Sequence, residues 1–460
     1  MSETVWELSA VQLRARYLAR ELSPVEVTRA LLDRIEERND SLGAFITVTP
    51  DIALEQAGAA ERAYGAGEGA APLLGVPVSI KDLVWTRGVR TTFGSLVTAG
   101  FVPDHDAPVV ERLRAAGAVM LGKTNVPEQG WKGETTNRLI GSTHNPWQRG
   151  ATAGGSSGGA AAAVAAGLGP IAQGSDGAGS IRIPAGFCGV FGLKPTFGTV
   201  PIWPPSSTDT LSHIGPITRT VADAALMLSA IAGPDARDLH SLGRPRLDYQ
   251  EGLGDGLEGV RIGWSPDLGY VDVDPEVARL TTAAAASLRR AGAEVHDLGP
   301  AFPDPWPVVH TLWAASEAAE YPDGIDDVRD LLDPGRVAVI EAGFKLRPGE
   351  VAAAALARHT QYRAVDALLE SVDLLVTPTL PVPAFPVGQD SPIRHGKQTS
   401  YLGWTGFTYP FNLSGHPAAT VPCGFTTGGL PVGLQLVGRW HRDSLVLRAA
   451  AAFEQLGGVG

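Results

Sequence analysis

A helical pattern that resolves directly into a short strand occurs twice in this chain, and it limits the fold more than any other feature. Val109 to Ala116 reads as a helix and Ala118-Val-Met-Leu121 as the strand that follows it. The phrase returns later, where the strand-like Val260-Arg-Ile-Gly263 precedes a helical stretch from Val277 to Ala291 and then Ala293-Glu-Val-His296. Apolar spacing that switches between helical and strand periods predicts alternating elements. Such alternation predicts an α/β fold with a central mixed, twisted sheet covered by helices on both faces.

At 460 residues the chain has the length of about three domains of roughly 150 residues, although large α/β enzymes often share one sheet. We divide it into an N-terminal helical segment, residues 1–66, and a core, residues 67–460. In the first part Ser23-Pro24-Val25-Glu26 gives a capping serine, a proline at the first helical position and an early glutamate, predicting a helix from about Ser23 to Arg38. Within the core, prolines break the helical patterns at Ala301-Phe-Pro-Asp-Pro-Trp306 and Glu320-Tyr-Pro-Asp-Gly324. That predicts a variable insertion of helices and loops at about 233–400, bordering a pocket. Gly429-Leu-Pro-Val-Gly-Leu-Gln-Leu-Val-Gly438 returns to sheet composition before a helix from about Asp443 to Gln455.

With 44% hydrophobic and 19% charged residues the chain is globular, and its glycines and prolines form no repeat. A formal charge of -12 weighs against nucleic acid and anionic membrane as partners, because both demand clustered Lys and Arg. A small-molecule ligand is expected instead. Met1-Ser-Glu-Thr-Val-Trp-Glu7 has neither the basic start nor the apolar stretch of a signal peptide, and no window reads as membrane-spanning. The expectation is a cytoplasmic protein. Cys188 and Cys423 belong to no metal-binding pattern and read as buried thiols.

Thr152-Ala-Gly-Gly-Ser-Ser-Gly-Gly159 runs straight into Ala160-Ala-Ala-Ala-Val-Ala-Ala166, a strong helix former, so its serines fall at a helix N-terminus where backbone N–H groups are free. A second turn, Gly174-Ser-Asp-Gly-Ala-Gly-Ser180, packs small residues ahead of a serine. Such a turn lets successive amides point at a developing negative charge. Lys81 closes the strand-like run Gly75-Val-Pro-Val-Ser-Ile-Lys81-Asp82. Among them Ser156, Ser180 and Lys81 have the groups from which a nucleophile, a proton shuttle and a base could be drawn without histidine.

Other readings of these segments fail on context. Gly154-Gly-Ser-Ser-Gly158 fits the nucleophile elbow of α/β-hydrolases, but that elbow needs a strand directly before it, and Asn145 to Thr152 reads as loop. Gly177-Ala-Gly179 lacks the third glycine of a dinucleotide fingerprint, and neither a P-loop nor an H-E-x-x-H zinc motif occurs. Cys188 lies in an apolar run without a neighbouring histidine, so it is not expected to act as a nucleophile.

The chain resembles the amidase signature family in Gly75 to Asp82, Gly154 to Gly159, Asp176 with Gly179-Ser180-Ile-Arg-Ile-Pro-Ala185, and Phe187-Cys-Gly-Val-Phe-Gly-Leu-Lys-Pro195. Asn412-Leu-Ser-Gly-His-Pro-Ala418 and Gly429 to Gln435 are similar as well. The resemblance implies a Ser-cisSer-Lys triad: Ser180 as nucleophile, Ser156 as shuttle after a cis Gly155–Ser156 bond, and Lys81 as base. It also implies an oxyanion hole from the amides of Gly177, Ala178, Gly179 and Ser180. No metal or organic cofactor is required. A free lysine loses its proton near pH 10.4, so a lysine base working near pH 7 needs roughly 4.6 kcal/mol of destabilisation as a cation, which burial supplies.

Ala178 departs from the glycine that family members often carry there, and activity is expected to survive it. Asp176 and Arg182 are expected to brace the loop, and Ser157 to cap the helix. Trp203, Trp306, Trp313, Tyr401, Trp404 and Phe407, with Tyr409, suggest a substrate pocket for aryl or apolar groups. The implied substrate is a small amide, with urethane (carbamate) cleavage open to the same triad. Two further alternatives stand beside it. One is the amidotransferase subunit that makes ammonia for charged tRNA, from which Phe197-Gly-Thr-Val200 and Pro201-Ile-Trp-Pro-Pro205 depart. The other is a non-catalytic binding protein, against which the intact triad argues.

Overall fold

The computed structural model describes residues 4–243 and 247–457. Met1, Ser2 and Glu3, part of the stretch read for a leader, lie outside the described residues. Eleven strands form one mixed sheet, in the spatial order Phe45–Val48, Val119–Thr124, Pro77–Lys81, Ile171–Asp176, His213–Thr218, Phe191–Lys194, Ala418–Phe425, Pro431–Gly438, Leu374–Pro378, Arg261–Trp264 and Glu294–Asp297. Both helix-to-strand phrases of the sequence are present. Pro108–Ala115 leads into Val119–Thr124, and Pro275–Ser287 leads into Glu294–Asp297.

The N-terminal segment is helical apart from one strand. Its helix Pro24–Leu42 starts on Ser23, whose hydroxyl accepts from the amide of Val25 at 3.0 Å, and stops at Gly43, where φ is 66°. Phe45-Ile-Thr-Val48 then pairs antiparallel with Val119–Thr124 at the sheet edge, so residues 1–66 share the core's sheet. The signal was there, since these four residues are β-branched or aromatic, but a four-residue edge strand between helices carries little periodicity. Residues 233–400 likewise hold more than helices and loops. They supply Arg261–Trp264 and Glu294–Asp297, both read as strands from the sequence, and also Leu374–Pro378, which was not.

Two short helices fill the middle of the molecule. Gly158–Ala165 and Arg182–Cys188 are buried almost throughout, which an amphipathic surface helix is not. Small side chains make this burial feasible. A side chain at Gly158 would collide with Thr135, and one at Gly159 with the backbone of Ala44 and Asn125. Among the described residues no helix is long and apolar enough to cross a membrane.

Candidate active site

Parallel pairing sets the frame of the site. Pro77–Lys81 lies beside Ile171–Asp176 with Val78 opposite Ile171 and Ile80 opposite Gln173, so both strands end at the same edge of the sheet. Lys81 is the last residue of one and Asp176 of the other. The turn after Asp176 carries the small residues Gly177 to Ser180, and ligand sites in α/β sheets gather at such carboxyl ends.

The Lys81 ammonium nitrogen lies 2.8 Å from Ser156 Oγ, 3.0 Å from Ser175 Oγ and 3.2 Å from the Ser175 carbonyl oxygen. Lys81 is fully buried. Burial pulls its pKa down to about 7, with Asp176 pulling weakly the other way. The Gly155–Ser156 peptide is cis. Ser156 and Ser180 are 2% and 3% exposed, and the Ser157 amide donates to the Ser180 carbonyl at 3.1 Å, tying the two glycine-rich turns together.

Asp176 and Arg182 form the brace beneath this turn. Arg182 Nε and Nη2 each lie 3.0 Å from one Asp176 carboxylate oxygen, a paired geometry suited to a planar guanidinium. Arg182 also donates to the Thr408 carbonyl, Gln435 Oε1 and Asn412 Oδ1. Burial opposes ionisation of Asp176, but Arg182, Lys194 and Asn412 hold its carboxyl well below the usual range. The same carboxylate accepts from the Gly179 amide at 2.7 Å and the Ile181 amide at 3.2 Å.

That contact changes the expected oxyanion hole. The Gly179 N–H is committed to Asp176, so it is removed from the set of four. The amides of Gly177, Ala178 and Ser180 have no acceptor among the described residues. The Ala178 carbonyl is held by Thr408 Oγ1 at 2.7 Å, which fixes the orientation of the loop. Gly177 tolerates no side chain without moving the Trp313 ring, which would stand 3.1 Å from a β-carbon there.

Ser157 sits at the helix N-cap position, yet its hydroxyl does not cap. It donates instead to the Ser175 carbonyl at 3.1 Å and accepts from the Ser175 amide at 3.4 Å. The neighbouring strand end competes successfully for this hydroxyl, a contact no local pattern foretells.

The aromatic residues divide. Trp313, Trp306, Tyr401 and Tyr409 pack in one cluster with Ala178, Trp131 and Leu211. Trp404 belongs to another, stacked on Phe187 with centroids 6.0 Å apart. Phe407 is fully buried with Phe411, Leu369 and Leu375, so it fills core. Trp203 packs against His105, centroids 4.4 Å apart, and against the Arg237 guanidinium at 5.2 Å. Its neighbours Pro204 and Pro205, with Trp85, Phe93, Gln129 and Ser175, line a cavity of about 460 Å3. Ser175, which lines this cavity, also contacts Lys81.

Sequence reasoning missed Ser175 as the second partner of Lys81 and Gly130 as a cover over Ser156. A β-carbon at Gly130, where φ is 77°, would stand 3.1 Å from Ser156 Oγ. It also left Asn412 and Gln435 without a role, although both lie in segments that carry the family resemblance. Cys188 is buried and its thiol is pushed up by burial, leaving it inert as a nucleophile. Among the described residues there is no His, Cys, Asp and Glu group suited to a metal ion.

A buried lysine beside one serine and a second serine on a neighbouring turn of free amides thus stand together at the carboxyl ends of two parallel strands. The amidase family model matches residues 26–447. An acylamidase of Rhodococcus erythropolis is 43% identical over 97% of this chain and 95% of its own. A glutamyl-tRNA(Gln) amidotransferase chain of Thermosynechococcus vestitus is 40% identical over 97% and 98%. The crystal structure of a bacterial aryl acylamidase of the amidase signature enzymes superposes with a TM-score of 0.90 at 34% identity, covering 97% of this chain and 96% of that one. The chain belongs to the amidase family, the amidase signature enzymes, and with it to the amide hydrolases.

Proposed function

We propose that this enzyme hydrolyses small acyl amides with aryl or apolar groups through an acyl-enzyme on Ser180. The observation that carries the reading is the 2.8 Å contact between Ser156 and a lysine whose pKa burial lowers to about 7. Neutral Lys81 takes the Ser156 proton, and Ser156 takes that of Ser180 as its oxygen attacks the carbonyl carbon. The free amides of Gly177, Ala178 and Ser180 receive the oxyanion. The proton returns through Ser156 to the leaving nitrogen, the amine departs, and water attacks the acyl-enzyme by the same relay.

The apolar side of the substrate is assigned to the Ala178 cluster, where Trp313, Trp306 and Tyr401 gather. Similarity to an acylamidase and an aryl acylamidase supports the amide class. Carbamates remain within reach of the same triad. The two cysteines are free, in keeping with a cytoplasmic setting.

The test is amine release from a panel of anilides, aliphatic amides and aryl carbamates, comparing the parent with Ser180→Ala. Turnover of anilides that disappears in the folded variant is the expected result, and turnover that survives overturns the nucleophile. A second reading, ammonia production for an amidotransferase, rests on the amidotransferase relatives. Glutamine belongs in the panel for that reason. Glutamine turned over faster than every anilide would favour it.

A further inference from the structure

A second cavity, of about 660 Å3, shares Ser207 and Ala319 with the one that reaches Ser175 but is otherwise lined by different residues. Its volume is that of a small-molecule site. The helices Trp306–Ala319 and Pro348–Ser371 form two walls, with Leu312, Ala315, Val351 and Ala355 facing in, and Tyr362 and Trp440 add aromatic surface.

Into this apolar space the protein places one cation. Arg358 donates from Nε to the Leu413 carbonyl and from Nη2 to the Thr210 carbonyl, each at 2.8 Å, and from Nη1 to Thr210 Oγ1. Those bonds occupy three of the five guanidinium N–H groups. No carboxylate of the described residues forms an ion pair with it. Burial draws its pKa down to about 10, still charged at neutral pH. Asp209, also on the wall, acts on Arg358 through its charge and raises its pKa, but it makes no direct ion pair with it: it is 63% exposed and pairs with His240 at 3.1 Å. A second polar group is unspent as well. Ser414 lines the same cavity, is 2% exposed, and its hydroxyl has no partner among the described residues.

A half-buried guanidinium whose one acting carboxylate is solvent-exposed and shared with an imidazole gains from a ligand carboxylate, which matches its planar fork. We propose that this cavity binds a monocarboxylate with an aryl or alkyl body. The carboxylate would meet Arg358 and Ser414, and the body would lie between Trp440, Tyr362 and Leu312. The proposal does not depend on which residue is the nucleophile, since none of the triad lines this cavity.

The probe is 4-phenylbutyrate, titrated calorimetrically into the full chain as parent, Ser180→Ala, Arg358→Gln and Ala355→Trp. We expect one binding event that Ser180→Ala leaves within about twofold. Arg358→Gln should weaken it roughly tenfold or more, the range for a lost charge-assisted hydrogen bond. Ala355→Trp, which fills the cavity and keeps the guanidinium, should abolish it. 4-Phenylbutanol, with the same body and no charge, should bind about tenfold or more weakly. No heat at millimolar probe, or binding unchanged in a folded Arg358→Gln or in Ala355→Trp, overturns the proposal. If Arg358→Gln does not fold, Ala355→Trp and the alcohol decide it.

Discussion

Replacing Lys81 with methionine removes the amine and keeps much of the buried side-chain volume. The perturbation reads through two independent quantities. In the native protein burial lowers the Lys81 pKa from 10.5 to about 7, whereas in the unfolded chain the amine keeps its proton to near pH 10.4. Between those values the unfolded chain binds a proton that the native protein does not, so stability rises with pH by about 1.4 kcal/mol per unit. The contribution is fully present above the unfolded pKa and is lost as pH falls through about 7. Across the whole window it amounts to about 5 kcal/mol, and between pH 7 and pH 9 to roughly 2 kcal/mol, because the group is half-titrated at the lower end. Chemical denaturation of parent and Lys81→Met at both pH values isolates that difference. The parent should gain roughly 2 kcal/mol relative to the variant. Its kcat/KM on an anilide should climb through pH 7 as the free amine forms, while the variant loses about 1000-fold or more. Parallel stability profiles would refute the reasoning, because they would mean that native Lys81 holds its proton and is no base.

Asp176→Asn leaves Arg182 buried without its paired carboxylate and should cost about 3–5 kcal/mol, visible as a lower denaturation midpoint together with lost turnover. Trp313→Ala, which uncovers Gly177, should raise KM for anilides about tenfold while affecting acetamide less, if the ring contributes apolar contact area to the substrate; steady-state kinetics on the two substrates checks it. Cys188→Ala should retain turnover, and iodoacetamide should not inactivate the parent, because burial pushes the Cys188 thiol up and that of Cys423, which is half-buried rather than buried as expected, is pushed up to about 12.

Local patterns were read well where one residue's surroundings come from its own neighbours in sequence. The helix Asp443–Gln455 appears with the expected limits, and Ser23 caps its helix, because caps and periodicity act within a turn or two. Ser157 shows the opposite case. Its position in sequence favours a cap, but Ser175, 18 residues on, offers the hydroxyl both an acceptor and a donor. The strands Phe45–Val48 and Leu374–Pro378 were obscured for a related reason. Strands this short gain their stability from partners far away in the chain, such as Val119–Thr124 for Phe45–Val48.

The sequence by itself determined the α/β class and the family, and with the family the candidacy of Lys81, Ser156 and Ser180, because those follow from the order and spacing of residues. Tertiary structure alone decided which amides remain free, since the Gly179 N–H is withdrawn only when Asp176 folds back under its turn. It also sorted the aromatic residues, bringing Trp313 and Tyr401 to Ala178 and sending Phe407 into the core. Lys81 states the division most plainly. Its place in the chain is written in the sequence, but its readiness to give up a proton near pH 7 comes from burial, a property of everything packed around it.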